Sequence, residues 1–358
     1  MSRRAIDAKV LELIAEGALG PVDDARFGSL ALELFRHQLE HNAPYRRLCE
    51  SFGVELEKVS HWREIPAVPT GAFKEARLAS FPEEAEVRTF RTSGSTGERR
   101  GELHLDTLEL YEASLAATFG AYVCFDVERI RFLVLAPSLA DAPDSSLSYM
   151  FDAAVRHWGT QQSRCYLRPD GWDPAELIAD LESVREPVAV VGTAFAFVHL
   201  LDALAERGSR LTLPEASRVL ETGGFKGRSR SVEREELHAA IADSLGVARS
   251  RILNQYGMCE LGSQFYESTL RDRAPTCTKR VPPWVRTRVV DPETLEEVPP
   301  GAEGLLIHYD LANTGSVLAV QTSDRGRSSE GGFEVLGRLP GAESRGCSIA
   351  ADALLQSG

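Results

Sequence analysis

Apolar positions over residues 1–60 recur at helical spacing, first Ile6, Val10, Leu11 and Ile14, then Leu30, Leu32, Leu34 and Phe35. The spacing predicts successive amphipathic helices, separated at Gly17, Gly20 and Pro21, where glycine loosens the backbone and proline cannot continue a helix. Ile65-Pro66-Ala67-Val68-Pro69 follows as an extended connector, because each proline removes a backbone donor and keeps its predecessor out of the helical region. From about residue 86 the period changes. Residues 87–91 read as a strand, 107–119 as an amphipathic helix, and 130–136 as a buried strand ended by Pro137. A strand at 187–191 precedes helical spacing through Phe195, Val198, Leu201 and Leu204. Another at 218–220 precedes Gly223-Gly224 and a helix over 232–245, and residues 252–253 lead to Tyr256. Strands separated by helices of this length predict an α/β sheet with parallel neighbours. Beyond residue 284, shorter runs at 285–290, 304–309, 316–321 and 332–336 are broken by Pro, Gly and Asp, which predicts a β-rich subdomain of hairpins. The chain carries no internal repeat and no low-complexity tract.

Composition narrows the class. With 43% hydrophobic residues among 358 and a mean hydropathy of -0.19, the chain reads as a soluble globular protein with a substantial core. No run approaches the roughly 18–20 apolar residues of a membrane helix. Met1-Ser2-Arg3-Arg4 does not open a secretory signal, so the expected location is cytoplasmic, with no membrane span. A net charge of -13 argues against a general nucleic-acid binder, which needs a basic surface. An anionic substrate still fits if cations gather in a cleft. The six cysteines are scattered without a CxxC pair, which disfavours a zinc site and, in a reducing cytosol, a disulfide framework. Most are expected as small buried hydrophobes. The lysines are Lys9, Lys58, Lys74, Lys226 and Lys279; the other basic residues are arginines, and no lysine follows Lys279.

The candidate chemistry lies in a few segments. Arg91-Thr92-Ser93-Gly94-Ser95-Thr96-Gly97-Glu98-Arg99-Arg100-Gly101 concentrates glycines and hydroxyls between arginines. Small residues let the backbone approach a ligand, successive N–H groups make an anion-binding concavity, and arginine supplies charge for phosphate oxygens. By composition alone the segment reads equally as a surface turn. It is neither a Walker loop, since no Gly-Lys-[Ser/Thr] follows, nor a Gly-x-Ser-x-Gly nucleophile elbow. Asn254-Gln255-Tyr256-Gly257-Met258-Cys259-Glu260, just after a short strand, suits ligand binding at the end of an open sheet. There Tyr256 can stack and Glu260 can hold Mg²⁺, although a solvated or helix-capping acid is the ordinary fate of such a glutamate.

The order Thr-Ser-Gly-Ser-Thr-Gly, Gly-Gly, Tyr-Gly-Met-x-Glu, Thr-x-Asp-x-Gly resembles the adenylate-forming superfamily of acyl-CoA synthetases and luciferases. Ile65–Pro69 with Phe73-Lys74, Pro137-Ser138 with Ser145-Ser146-Leu147, Glu221-Thr222-Gly223-Gly224-Phe225-Lys226-Gly227 and Arg345-Gly346-Cys347-Ser348 narrow the likeness. These segments are similar to the LuxE-type acyl-protein synthetases, the long-chain-fatty-acid–luciferin-component ligases, over roughly residues 60–350. The resemblance implies an α/β adenylate-forming large domain with a helical N-terminal cap, a β-rich subdomain and a truncated C-terminal domain. The corresponding division is residues 1–85 cap and connector, 86–283 core, 284–336 β-rich subdomain and 337–358 short C-terminal remnant.

The resemblance also implies roles. Thr92, Ser93, Gly94, Ser95, Thr96 and Gly97 would cradle the ATP phosphates, and Gly223 and Gly224 would lie along the adenine. Tyr256 and Gly257 would pack near the adenine and acyl carbonyl, Glu260 would coordinate Mg²⁺, Asp324 would hold the ribose hydroxyls, and Arg338 would sit at the hinge between domains. Read without the resemblance, Gly223-Gly224 is a tight turn, Asp324-Arg325-Gly326 a hairpin turn and Arg338 a surface charge. The implied activity is ATP-dependent conversion of a carboxylic acid, by family default a fatty acid, to acyl-AMP with release of pyrophosphate. Cys347 matches a cysteine that accepts the acyl group and passes it to a partner acyl-reductase; a buried structural cysteine is the competing reading.

Three departures bear on this. Larger superfamily members use a C-terminal lysine that this sequence lacks, Cys259 stands where the superfamily has Thr, and Glu98-Arg99-Arg100 replaces the usual Pro-Lys. Arg99 and Arg100 would then serve for the missing amine, with Lys74 and Lys226 as other cations near the site. An acyl-CoA or acyl-carrier-protein ligase, and a degenerate adenylate-forming fold used for binding or assembly, remain open alternatives. Acyl-pocket residues are not legible: Met150, Phe195 and Phe197 read as core or pocket alike.

Overall fold

Helix Arg3–Ala15 buries Ile6, Val10, Leu13 and Ile14, and helix Asp24–His41 buries Phe27, Leu30, Leu34 and Phe35; of the positions that the spacing marks, Leu11 and Leu32 are only half-buried, and Leu13 and Phe27 join the buried face. Asp23 caps the second helix by accepting from the Arg26 amide, and Asn42 caps a third, Ala43–Ser51, by accepting from Tyr45. The computed structural model describes residues 2–92, 99–168, 171–223 and 233–338, the side chain of Leu56 excepted. It divides into two compact units: residues up to Thr118 with Met258–Gln264 and the chain from Arg280, and Phe119–Gly257 with Phe265–Lys279.

In the first unit the N-terminal helices accompany an antiparallel sheet. Strands Val285–Val290, Glu303–Asp310, Ala319–Ser329 and Gly332–Arg338 each pair antiparallel with the next, as the hairpin pattern predicts. The proline-bounded connector does more than link. Its residues Val68–Pro69 add a short parallel strand against Val320 and Gln321, and the pairing continues past the donorless Pro69 when the Thr70 amide donates to the Gln321 carbonyl. Trp284 and Tyr309 are fully buried, and Trp62 meets Tyr309 edge-on at 5.0 Å.

The second unit is the α/β sheet. Arg131–Pro137 lies between Arg164–Arg168 and Val188–Thr193, followed by Arg218–Thr222 and Ile252–Tyr256, all parallel; short antiparallel strands Gly171–Trp172 and Phe265–Glu267 flank the run. Strand Arg164–Arg168 and helices Ser146–Trp158 and Pro174–Ser183 go beyond the hydrophobic pattern read above; Ser145 and Asp173 cap the two helices. Leu133, Val190 and Val219 from the strands pack with Ile178, Phe197, Leu200 and Ile241 from the helices in one core. Gly192 lets neighbouring strands close, since a Cβ there would lie 2.5 Å from that of Leu135. Met150 and Phe197 are core residues, and Phe195 is half-buried. Among the described residues no helix is long and apolar enough to cross a membrane.

Candidate active site

The hydroxyl- and glycine-rich segment grows from a hairpin stem. Arg88–Arg91 pairs antiparallel with Glu102–Leu105, placing Arg91 opposite Glu102. Above that pair the Thr92 amide donates to the Gly101 carbonyl, and the Gly101 amide donates back to Thr92 Oγ1, each at 2.9 Å. Arg100 folds over the junction, its Nε donating to the Thr92 carbonyl at 2.5 Å and its Nη2 to that of Arg91 at 3.3 Å. Gly101 is set close: a Cβ there would come within 3.2 Å of the Thr92 methyl and 3.5 Å of Phe73 Cβ. Arg99 is exposed and donates to Glu75 at 3.2 Å. A cleft of about 980 Å³ beside the stem is lined in part by Lys74, Arg77, Arg99, Arg100, Glu86 and His104. Within it Glu86 accepts from Thr89 and Arg77 and meets His104 Nδ1 at 2.9 Å. Burial pushes the Glu86 carboxyl up, but the Thr89 hydroxyl, the His104 ring and Arg77 outweigh it and hold it below its ordinary value. Ser93, Gly94, Ser95, Thr96 and Gly97, together with Gly224, Lys226 and Cys347, lie outside the described residues.

Two motif residues distant from that loop are brought together in the same unit. Asp324 and Arg338 occupy facing register positions, with Arg338 Nε 3.6 Å from Asp324 Oδ1. Asp324-Arg325-Gly326 is therefore not a hairpin turn but the middle of strand Ala319–Ser329, where a bulge follows Arg325. Gly326 is needed there, because a Cβ would fall 2.5 Å from the Glu334 carbonyl and 2.7 Å from a Leu306 methyl. Thr322 anchors the turn of backbone: its hydroxyl donates to Leu306 O at 2.9 Å and accepts from the Asp324 amide at 3.0 Å.

Glu260 is 5% exposed, so it is not the solvated acid that composition alone suggests. Its segment is pinned in two places. Asn313 Nδ2 donates to the Glu260 carbonyl at 2.9 Å, and Ser263 Oγ donates to Asp310 at 2.8 Å while accepting from Trp284 at 3.0 Å. Gln38 of the second helix donates to the Asn313 carbonyl and accepts from the Leu318 amide, tying the N-terminal helices to the loop that holds Glu260. Burial pushes the Asp310 carboxyl up to about 6. The Asn313, Asp310 and Ser263 supports are invisible to motif reading; Asn313 lies in the polar stretch Asn313-Thr314-Gly315-Ser316 and Gln38 among Arg36, His37 and Glu40, where neither stands out.

In the second unit Gly223 ends strand Arg218–Thr222 with φ +80°, a left-handed conformation that glycine takes without strain. Tyr256 ends the neighbouring strand half-buried, its ring 5.9 Å from Phe265, and Gly257 is exposed. Beneath these strand ends lies a buried polar network. Glu221 meets His238 Nε2 at 2.9 Å and Asn254 Nδ2 at 2.6 Å, while Glu267 accepts from the Asn254 amide and Lys279 Nζ, each at 2.8 Å. Burial lowers the Lys279 pKa, and Glu267 opposes that shift. Cys49, Cys124 and Cys259 are buried, and Cys165 and Cys277 are half-buried.

This architecture is that of adenylate-forming ligases. An open conformation of 2-hydroxyisobutyryl-CoA ligase in complex with 2-HIB-AMP and CoA matches with a TM-score of 0.65 and 15% identity, over 90% of this chain and 76% of its own. ATP-bound MatB from Rhodopseudomonas palustris matches with a TM-score of 0.50 and 19% identity, over 70% of this chain and 47% of its own. Identities this low speak for the fold alone. Residues 21–355 match the family described as acyl-protein synthetase, LuxE, and the chain belongs to that family. The long-chain-fatty-acid–luciferin-component ligase of Vibrio harveyi is 24% identical over 332 residues, covering 88% of this chain and 84% of its own. That of Aliivibrio fischeri is 23% identical over 341 residues, covering 91% and 88%. The protein is thus an AMP-forming acyl ligase, which uses ATP to activate a carboxylic acid as its acyl-adenylate and transfers the acyl group to a protein thiol.

Proposed function

We propose that the acid is a fatty acid, that Cys347 is the first thiol to receive the acyl group, and that a partner acyl-reductase takes it from there. ATP phosphates are held by Thr92 to Gly97 with Arg99, Arg100 and Lys226 nearby, the adenine by Gly223, Gly224, Tyr256 and Gly257, and the ribose by Asp324 beside Arg338. The single observation that carries this assignment is the meeting of Asp324 and Arg338 at 3.6 Å, since two motif residues with separate expected roles then serve one place in the fold. In this reading residues 1–85 are the cap and connector, 86–283 the core and 284–336 its β-rich subdomain, with residues 337–358 following it.

Glu260 suits Mg²⁺. It is a buried carboxylate on a segment pinned by Asn313. Mg²⁺ is commonly held by one or two carboxylates, water and substrate phosphates, and bound there it would neutralise charge on phosphoryl oxygens. The acid's carboxylate attacks the α-phosphorus in line, the bond to the bridging oxygen breaks, and pyrophosphate leaves. No general base is needed, because the carboxylate is already ionised. The Cys347 thiolate then attacks the acyl carbonyl, AMP departs, and a thioester forms. Because the first step consumes ATP, we place the protein in the cytoplasm.

A panel of radiolabelled acids tests substrate and acceptor together. Long-chain acids are expected to give acyl-AMP and a hydroxylamine-sensitive label on the protein. Cys347→Ala is expected to keep acyl-AMP formation and lose the protein label; a protein label that persists in that variant would overturn the assignment of Cys347.

A further inference from the structure

Strands Arg218–Thr222 and Ile252–Tyr256 are fastened to each other on both faces. Their parallel ladder sets Glu221 beside Asn254 and Thr222 beside Gln255, and successive side chains of a strand point to opposite faces. On one face Asn254 Nδ2 donates to Glu221 Oε1 at 2.6 Å. On the other, Thr222 Oγ1 donates to the Gln255 carbonyl at 3.2 Å and to the Gln255 side-chain oxygen. The ladder between these strands stops there. Gly223 and Tyr256 come next, at the carboxyl ends where parallel sheets take their ligands.

A third element closes the network. Helix Arg234–Leu245 carries Arg234 and His238 four residues apart, hence on one face. His238 is fully buried, with Nε2 at 2.9 Å from Glu221 Oε1, and Arg234 Nη1 lies 3.3 Å from Glu267 Oε1. Glu267 also accepts from the Asn254 amide, so the helix is bound to both strands through the two carboxylates. A carboxylate oxygen accepts only, which puts the ring proton of His238 on Nε2. Its Nδ1 is buried and has no hydrogen-bond partner among the described residues, so its one hydrogen bond goes to Glu221. Burying a carboxylate is costly, and the backbone ladder alone would pair these strands without one. What a satisfied buried network adds is a single rigid arrangement, here at the place where Gly223 and Tyr256 begin.

We propose that Glu221 and His238 are positioning residues of this ligase: acting through Asn254, they hold the two strand ends in the arrangement in which Gly223 and Tyr256 receive the adenine of ATP. The role is geometric, and no proton is transferred. It rests on reading Gly223 and Tyr256 as part of the adenine site.

The test is calorimetric titration of AMP, with KM and kcat for ATP from acid-dependent pyrophosphate exchange and thermal unfolding alongside, on His238→Leu, His238→Gln, Tyr256→Leu and Ile241→Val. A buried hydrogen bond to a carboxylate is worth about tenfold in an equilibrium constant, so His238→Leu is expected to weaken AMP binding and raise KM for ATP by about that factor, with kcat near wild type. His238→Gln, whose amide can donate to Glu221, is expected to recover most of both. Ile241→Val thins the core on the same helix and is expected to melt lower yet bind AMP as wild type does. Tyr256→Leu is expected to weaken AMP binding. Wild-type AMP affinity in His238→Leu beside weakened binding in Tyr256→Leu would overturn the proposal, as would equal losses in His238→Leu and Ile241→Val or no recovery in His238→Gln. Wild-type affinity in Tyr256→Leu would instead overturn the adenine reading, and the proposal with it. Should His238→Leu not fold, Glu221→Gln, which keeps the shape and removes the charge, is titrated in its place, and unchanged AMP affinity there overturns the proposal.

Discussion

Gly326→Ala puts one methyl group where the bulge beside Asp324 has no room for it. The new Cβ would sit 2.5 Å from the Glu334 carbonyl oxygen, against 3.4 Å at the start of ordinary contact, a shortfall of about 0.9 Å. The oxygen belongs to the backbone of a paired strand and cannot swing aside, and the second obstacle, Leu306, is fully buried. Overpacking of this kind costs about 1–3 kcal/mol, equivalent to a fall in Tm of roughly 1–4 °C in a chain of this length. The strands have to part next to the Asp324–Arg338 register pair, so binding of the ribose is expected to weaken with the fold. Thermal unfolding and ATP-dependent exchange kinetics read the two effects separately, with KM for ATP raised about tenfold and kcat at saturating ATP largely kept. Gly301→Ala is the contrast: its φ is left-handed, +81°, but nothing lies within 4 Å of the added methyl, so only the backbone cost of about 1 kcal/mol is expected. If Gly326→Ala melts with wild type and keeps its KM, the bulge does not position Asp324 and the argument fails.

Other consequences are equally specific. Asn313→Ala strips donors from the Glu260 and Val317 carbonyls, so it is expected to cost about 1–3 kcal/mol per buried carbonyl in urea unfolding and to raise the Mg²⁺ concentration needed for half-maximal exchange. Asp310, with its carboxyl raised to about 6 from 3.8, binds a proton in the native state that the unfolded chain has lost, so stability should fall as pH rises from 3.8 to 6. Asp310→Asn should flatten that slope in urea titrations; an unchanged slope would show that another group carries it. Burial pushes the Cys49 and Cys124 thiols up to about 12, so both should resist iodoacetamide at pH 8 in the native protein and react in denaturant.

The sheet was legible because parallel buried strands write continuous apolar runs, as in residues 130–136 and 187–191. Strand Arg164–Arg168 was not, since Cys165, Tyr166 and Leu167 between two arginines make an apolar run of only three residues. Helix Pro174–Ser183 is written in Asp173 and Pro174 at its start and in Leu177, Ile178 and Leu181, a short stripe at helical spacing that the reading above passed over. At the site, motif order exposed Asp324, Arg338 and Glu260, to which the proposed function gives roles. Their supports stayed hidden. Asn313, Gln38 and Asp310 act through backbone carbonyls and hydroxyls far away in sequence, and no local pattern marks a residue whose partner is chosen by the fold. The same reason separates Arg100 from Arg99: adjacent and alike in sequence, one ties two carbonyls and the other meets a carboxylate.

Acid-dependent exchange of labelled pyrophosphate into ATP, assayed across fatty acids of increasing length, tests the central claim most directly. The account predicts exchange that requires both the acid and Mg²⁺, needs no CoA, and is lost when Asp324 is replaced by Ala. Exchange absent with every acid, or appearing only after CoA is added, would contradict it.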